Sequence, residues 1–449
     1  MKKVVASVGL VAFGVWNLHA AGLGDAASGA NKPLNVSATL RGFYDDNVNT
    51  LPEGNANLHS TYGLEVSPSV GKAWSLEQSA ASFRYDYSLK YYDRKPVNNT
   101  DNYDQTHSLN VSLDHAFSPL YLLSVKDSFV IGQEPDQLRS DYALSTFQRI
   151  SGDNIRNYGV LLFTAQMTRE LGFELGYANS LFDYADDTVS PVGFTIVGTG
   201  TNAFLQPTVS PSRSGALDRL EHTFHLDATW VLQPETIGRL GYQYRQVNYT
   251  ADQLIGFTTG TPLTAKPIFS ENRDTREHYV YLGATHNFLR SLTGSASVGG
   301  RYVNYYKDIT GAGTDFGPYA TANLDWKYAQ DSFVEVGLTH DLNTTDVIGN
   351  TGGKVTLDEE STVLHVRLDH AILPKLRGTL LAQFQDSTFN GGTFDGKSER
   401  DFLLGLSLRY EFNMHFSAEA GYNYDKLETD IPGRAFDRNR VYIGVTATY

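Results

Sequence analysis

The sequence predicts an all-β fold, a transmembrane antiparallel up-and-down β-barrel of about eighteen strands with short periplasmic turns and long extracellular loops. Three observations predict it. The chain ends on an alternating strand, with Val441, Ile443, Val445, Ala447 and Tyr449 on one face and Arg440, Tyr442, Gly444, Thr446 and Thr448 on the other. An apolar face against lipid and a small or polar face against a lumen is how such a barrel finishes. The same period of two runs through long segments. Phe83, Tyr85, Tyr87, Leu89 and Tyr91 oppose Arg84, Asp86, Ser88 and Lys90. Phe402 to Phe412 alternates likewise, as does Leu364 to Leu368. These strands are about twice the usual soluble length and reach the roughly 9–11 residues that a tilted strand needs to cross a membrane. Finally, short and long connectors alternate, an asymmetry that a soluble meander has no reason to keep.

The strands are expected near 34–45, 58–71, 76–93, 103–117, 120–133, 156–168, 171–185, 219–232, 236–250, 274–288, 292–307, 318–329, 332–343, 359–372, 376–389, 400–412, 415–427 and 438–449. The count falls to sixteen if one hairpin is misread; 120–133 and 156–168 carry apolar residues on both faces. The short connectors hold turn chemistry: Gly71-Lys72, Ser118-Pro119, Arg169-Glu170, Gln233-Pro234-Glu235, Arg290-Ser291, Gln330-Asp331 and Leu373-Pro374-Lys375. Longer polar loops lie between them at 46–57, 94–102, 134–155, 186–218, 251–273, 308–317, 344–358, 390–399 and 428–437. An even strand count leaves both termini on the short-turn side. A weak repeat marks that rim: Leu113-Asp114-His115-Ala116-Phe117 recurs as Leu368-Asp369-His370-Ala371-Ile372.

Before the barrel, Met1-Lys2-Lys3, the uncharged run from Val4 to Trp16 and Ala20-Ala21-Gly22 read as a secretory signal peptide, residues 1–21. Residues 22–33 are a short periplasmic segment, and 34–449 form the barrel. So short a leader leaves no room for a plug domain, which argues against a TonB-dependent transporter. The chain has no cysteine, which excludes disulfide scaffolding and thiolate chemistry. Its net charge of −14 argues against bulk nucleic-acid binding. The 27 tyrosines and 24 phenylalanines suit a thin apolar band with aromatic girdles.

Val36-Ser-Ala-Thr-Leu-Arg-Gly-Phe-Tyr-Asp-Asp-Asn-Val-Asn49, Phe83-Arg-Tyr-Asp-Tyr87, Asp101-Asn-Tyr-Asp-Gln-Thr-His107 and Leu113-Asp-His-Ala-Phe117 carry a family resemblance. Together they resemble the type 2 β-barrel porin family of Gram-negative outer membranes. They also resemble outer-membrane barrels encoded with exopolysaccharide export systems. The sharpest motifs cover roughly residues 36–130, and the remainder is similar in pattern. The resemblance implies an outer-membrane barrel and brings no defined substrate.

Parity places charges of both signs in the lumen: Arg84, Asp86, Lys90, Arg239, Arg245, Arg301, Arg367, Asp369, Arg409 and Glu411. A lipid-facing Arg or Lys at mid-membrane costs about 2–4 kcal/mol, so these side chains are expected inside. They form either a wall that sets ion preference or a cross-strand salt-bridge lattice, and the two are compatible. Loop 186–218 either folds into the lumen as a constriction or stays outside. Asp45-Asp46-Asn47-Val48-Asn49 offers oxygen ligands but lacks the glycine and distal glutamate of a calcium loop, so it reads as a self-bonded turn. His115, His286 and His370 fit a membrane-interface girdle better than a metal site. No Gly-x-Ser-x-Gly elbow appears, and no cofactor or metal is expected.

The expected function is passive diffusion of small hydrophilic solutes through a charged lumen, without catalysis. The alternatives are an outer-membrane partner in polysaccharide export and a structural or adhesive barrel. Ile443, Val445 and Tyr449 are the expected signal for the barrel assembly machinery. Outer-membrane lipid is the surrounding partner, and a homo-oligomer is compatible with the pattern.

Overall fold

The computed structural model describes residues 34–94, 102–133, 152–351 and 353–449. The expected signal peptide, the segment 22–33, residues 95–101 and residues 134–151 lie outside the described residues.

Period-two alternation builds the strands β1 (Asn35–Asp45), β2 (Thr61–Ser75), β3 (Ser79–Tyr92), β4 (Tyr103–Ser118), β5 (Tyr121–Gly132), β6 (Asn154–Gln166), β7 (Leu171–Tyr184), β8 (Gly193–Val197), β9 (Phe204–Thr208), β10 (Arg219–Gln233), β11 (Thr236–Tyr249), β12 (Leu254–Phe257), β13 (Pro267–Phe269), β14 (Thr275–Leu289), β15 (Leu292–Asn304), β16 (Thr314–Ala329), β17 (Ser332–Asn343), β18 (Asn350–Thr351), β19 (Lys354–Val355), β20 (Asp358–Leu373), β21 (Leu376–Asn390), β22 (Ser398–Glu411), β23 (Phe416–Thr429) and β24 (Phe436–Thr448). Eighteen of them form one antiparallel sheet in which neighbours in chain order pair. The remaining six make three small hairpins, β8–β9, β12–β13 and β18–β19, within the long loops.

The sheet closes on itself. β1 pairs with β2 on one side and with β24 on the other, in register from Ser37 opposite Thr448 to Asp45 opposite Arg440. Val36 N donates to Tyr449 O at 3.1 Å, and Tyr449 N to Val36 O at 2.8 Å. Closure leaves no strand edge unpaired, the condition for a sheet in lipid. The terminal strand shows the two faces: Val441, Ile443, Val445 and Tyr449 are exposed on the outside, while Arg438, Arg440 and Tyr442 line the inside.

The strand positions follow the sequence pattern closely, with one displaced turn. Gly71-Lys72 does not turn. β2 continues to Ser75, pairing Lys72 with Phe83 and Trp74 with Ala81. The chain reverses instead at residues 76–78, where Leu76 N donates to Ser79 O at 2.7 Å. Gly71 is a close-packing position within a strand: a Cβ there would lie 3.2 Å from Phe83 O. The Asp45–Asn49 segment is a self-bonded turn, in which Asn47 N donates to Asp45 Oδ1 and Leu51 N to Asn47 Oδ1.

The histidines near the short turns recur in one arrangement. His115 Nδ1 lies 2.7 Å from Ser79 Oγ, with Phe117 edge-on at 4.5 Å. His286 Nδ1 lies 2.8 Å from Thr236 Oγ1, with Phe288 at 4.7 Å. His370 Nδ1 lies 2.8 Å from the hydroxyl of Tyr328, whose ring it stacks on. An apolar ring edge with a polar tip suits the depth where hydrocarbon gives way to head groups.

Candidate functional site

The lumen has two unlike walls. From β10 to β17 it is lined by a lattice of buried ions. Arg219 Nε donates to Glu221 Oε1 at 2.8 Å, and Glu221 Oε2 accepts from Arg245 Nη2 at 2.8 Å. Arg245 Nη1 reaches Glu277 Oε2 at 3.4 Å and the Leu342 carbonyl at 3.2 Å. The Tyr279 hydroxyl donates to Glu277 at 2.7 Å. Further round, Arg301 Nη1 lies 3.4 Å from Asp341 Oδ1. Arg245 and Arg301 each sit between two carboxylates, and Arg219 between Glu221 and the Leu217 carbonyl, the arrangement that repays taking both charges out of water.

Beside this lattice, Glu174, His225 and Asp227 bring three potential ligand atoms within 4.8 Å of one another. The group is already charge-compensated. Arg239 Nη1 lies 2.9 Å from Asp227 Oδ2, and the Tyr281 hydroxyl donates to Asp227 Oδ1 at 2.6 Å. A guanidinium on the carboxylate opposes a cation there. The His225 ring lies over Gly176, where a Cβ would come within 1.6 Å of the ring. Glu335, Gly337 and His365 repeat the arrangement, with Nε2 to Oε1 distances of 3.7 Å here and 3.6 Å in the first group. In the second copy Arg367 stands where Asp227 stands in the first, opposite the glutamate in the ladder. A histidine seated on a cross-strand glycine is therefore a packing unit of this wall.

The opposite wall, from β21 through β24 to β4, borders a cavity of about 460 Å³. Arg41, Lys90, Arg438 and Arg440 face it, together with Asp45, Glu65, Asp86 and Asp104. Arg41 bridges Glu65 at 2.8 Å and Glu419 at 2.5 Å, and its guanidinium lies 4.7 Å from the Tyr442 ring centroid. Arg438 pairs with Asp45, and Arg440 lies 3.6 Å from Asp425. Arg84 lies near this cavity, bound to Asp86 at 2.9 Å. Both of those side chains keep about a third of their surface in water.

The charges expected in the lumen thus fall in different settings. Arg239, Arg245 and Arg301 belong to the buried wall. Asp86 and Lys90 border the cavity, beside Arg84. Arg367 lies 5.0 Å from the Phe333 ring centroid, and Asp369 pairs with Arg377 at 2.6 Å. Arg409 stands opposite Glu419 in the ladder. Glu411 is exposed where β22 reaches the short turn, so it belongs to the rim. Sequence reading passed over Arg41, the central cation of the cavity wall, although its parity with Thr39 and Phe43 was available.

Loops occupy the long-loop end of the lumen. The sequence left 186–218 either as a constriction folded into the lumen or as a loop outside it. Within it Phe194 and Ile196 of the β8–β9 hairpin are exposed, while Gln206 and Pro207 of β9, Ser212 and most of the helix α1 (Arg213–Leu217) are buried. Among the described residues, the segment 344–357 is folded in, with Thr345, Val347, Val355, Thr356 and Leu357 all buried, as are Ile255 and Ile268 of the β12–β13 hairpin. Val355 and Leu357 pack with Ile255 and Ile268 of the β12–β13 hairpin and with Val303, Tyr305 and Leu342 of the wall. Gly392 (φ +67°) passes so close that a Cβ would lie 2.1 Å from Gly349 O.

Two loop arginines bracket this segment. Arg273 is buried, which lowers its pKa. Arg434 donates to Glu399 Oε1 at 2.7 Å and Asp346 Oδ1 at 2.9 Å. Burial opposes its charge, but Asp346 and Glu399 hold its pKa above the ordinary value. Asp218, which caps α1, is pushed up to about 7 by burial and by Asp183 and Asp187.

A closed eighteen-strand sheet with an ionic interior and an apolar exterior defines an outer-membrane β-barrel of the porin type. Residues 264–449 match the family model described as "Putative beta-barrel porin 2". This is the family that the sequence resembles, matched over the C-terminal strands rather than over 36–130, where the quoted motifs lie. No curated protein matches the chain. Among solved structures, the chain is similar to the siderophore receptor PiuA from Acinetobacter baumannii, with 10% identity and a TM-score of 0.46, covering 94% of this chain and 82% of that one. It is similar to a BenF-like porin from Pseudomonas fluorescens Pf-5, with 13% identity and a TM-score of 0.44, covering 93% and 99%. It is similar also to OccAB4 from Acinetobacter baumannii, with 13% identity and a TM-score of 0.40, covering 93% and 98%.

Proposed function

We propose that this protein is a passive outer-membrane channel for small hydrophilic solutes, and that solutes pass along the cavity wall of β1–β4 and β21–β24. The observation that carries the reading is the cavity of about 460 Å³ within a closed barrel, bordered by charges of both signs, of which Arg41 and Asp86 keep about a third of their side chains in water. Charges that keep contact with water can exchange partners with a passing solute, whereas fully buried pairs cannot do so cheaply. Arg84, Asp86 and Lys90 then tune ion preference, and the infolded segment 344–357 limits solute size. No step of this mechanism requires bond chemistry.

Transport of a sugar chain would favour bare aromatic faces along the path. Tyr442, the inward tyrosine of the last strand, instead carries the Arg41 guanidinium on its ring, so the geometry favours small polar solutes.

The test is single-channel conductance of the refolded, signal-free barrel in a planar bilayer, with a reversal potential across a salt gradient. Steady steps with a measurable ion preference are expected. A folded barrel with no steps at any voltage would overturn the reading and move weight to an export scaffold or a structural role.

A further inference from the structure

Arg273 stands at the end of the loop between β11 and β14, in a single 3-10 turn, Ser270–Arg273. Its guanidinium donates to three main-chain carbonyls from two other loops. Nε reaches Leu357 O at 3.1 Å, Nη1 reaches Ala216 O at 2.9 Å, and Nη2 reaches Thr345 O at 2.8 Å. The group lies 4.4 Å from the Tyr249 ring centroid, on the barrel wall. Thr345 and Leu357 are the two ends of the infolded segment, and Ala216 belongs to α1.

We propose that Arg273 is the positioning residue that sets the pore's size limit: it clamps both ends of the segment 344–357, and α1 with them, against the wall. The inference rests on the channel reading. Three features carry it. A planar fork of donors satisfies three buried main-chain carbonyls through a single group. The carbonyls belong to segments far apart in sequence, so the clamp fixes tertiary placement and not local shape. The segment it holds is buried inside the lumen end, next to the lattice residue Arg245, which also binds the carbonyl of Leu342 just before that segment. A lysine has one point of attachment and cannot span the three carbonyls.

The clamp differs in kind from the second tie on the same segment. Arg434 holds Asp346 through a carboxylate, and salt or a competing ion weakens such a tie. Bonds from a buried guanidinium to carbonyls are screened by salt much less. Arg273 therefore sets the resting size of the path even where salt weakens the second tie.

The experiment compares four refolded full-length barrels: wild type, Arg273→Gln, Arg273→Lys, and a variant with residues 347–354 replaced by a short Gly-Ser linker. Cold gel mobility checks that each has closed. Conductance and liposome uptake of neutral sugars of graded size are then read. The expected result is at least a twofold rise in conductance and a larger size limit for Arg273→Gln, approaching the loop-replaced barrel, with Arg273→Lys close to Arg273→Gln. Protease should also cut within 344–357 in both Arg273 variants and leave wild type intact there. Closed Arg273→Gln barrels with wild-type conductance and size limit, beside a wider loop-replaced barrel, would overturn the proposal and leave the channel standing. Silence from both the wild-type and the loop-replaced barrel would overturn the channel reading itself.

Discussion

The wall from β10 to β17 and the wall from β21 to β4 follow one rule of alternation yet end in different physical states. On the first, Arg219, Glu221, Arg245 and Glu277 are dry, each paired on two sides. On the second, the Arg438–Asp45 pair is also buried, but Arg41, Glu65, Arg84 and Asp86 are paired and remain partly in water. The difference comes from what faces them. Ile255, Ile268, Val355 and Leu357 of loops 250–274 and 344–357 pack onto Val303 and Leu342 of the first wall, and Val347 reaches Phe389 at the end of β21, whereas Arg41, Glu65 and Asp86 of the second wall face the cavity. Inward charge in a barrel is therefore not one category. Where loops seal it, it holds the fold together; where water reaches it, it is available to solutes.

Substitutions on each wall sharpen or break this contrast. The largest effect is expected for Arg245→Met. It strands Glu221 and Glu277 without their shared cation, and breaking a buried pair in this way costs about 3–5 kcal/mol. Urea unfolding followed by tryptophan fluorescence should show the loss; a barrel as stable as wild type would mean that the lattice is wet. Arg84→Glu on the cavity wall should leave stability within about 1 kcal/mol but shift the reversal potential toward cations. An unchanged potential would place Arg84 off the conduction path. Tyr449→Asp tests the seam between β24 and β1. A charge near the interface costs at most about 1 kcal/mol of folding energy, so reduced membrane levels of that variant would report recognition by the assembly machinery; normal levels would dissociate Tyr449 from it.

The smallest effect concerns Asp218 beside α1. Its folded pKa, raised to about 7, lies above the value of about 4 for an exposed aspartate. The contribution of the raised group is complete below about pH 4 and is lost as pH rises through about 7. Protection of residues 212–218 against protease should be better at pH 5 than at pH 8, and Asp218→Asn should remove the difference. Equal protection of wild type at both values would rule out the titration.

The strands were legible because lipid and lumen impose opposite demands on successive residues, and β16, β17 and β20 to β24 sit within a few residues of where alternation places them. The β2–β3 turn was misplaced because Gly71 carries turn chemistry while serving a close approach to Phe83. The loops were less legible. The Thr, Ser and Gly of 186–218 invite a constriction, yet the apolar Val347, Ile348, Val355 and Leu357 mark the segment that needs burial. That signal was present in the sequence: aliphatic residues in a loop that should face water. The choice of partners in the ion lattice was not legible, because cross-strand register is fixed by the turns and the closure, not by any residue alone.

The hydrogen bonds between Val36 and Tyr449 have a consequence for time. The first strand finds its last partner only across the whole chain, as between Thr39 and Thr446, 407 positions apart. Contacts this distant are the slowest to form. Until β24 is available, β1 and β23 are bare edges able to pair with any neighbouring chain. The nascent polypeptide must therefore be kept apart from its copies until β24 arrives to pair with β1, and the ring is sealed in one late event.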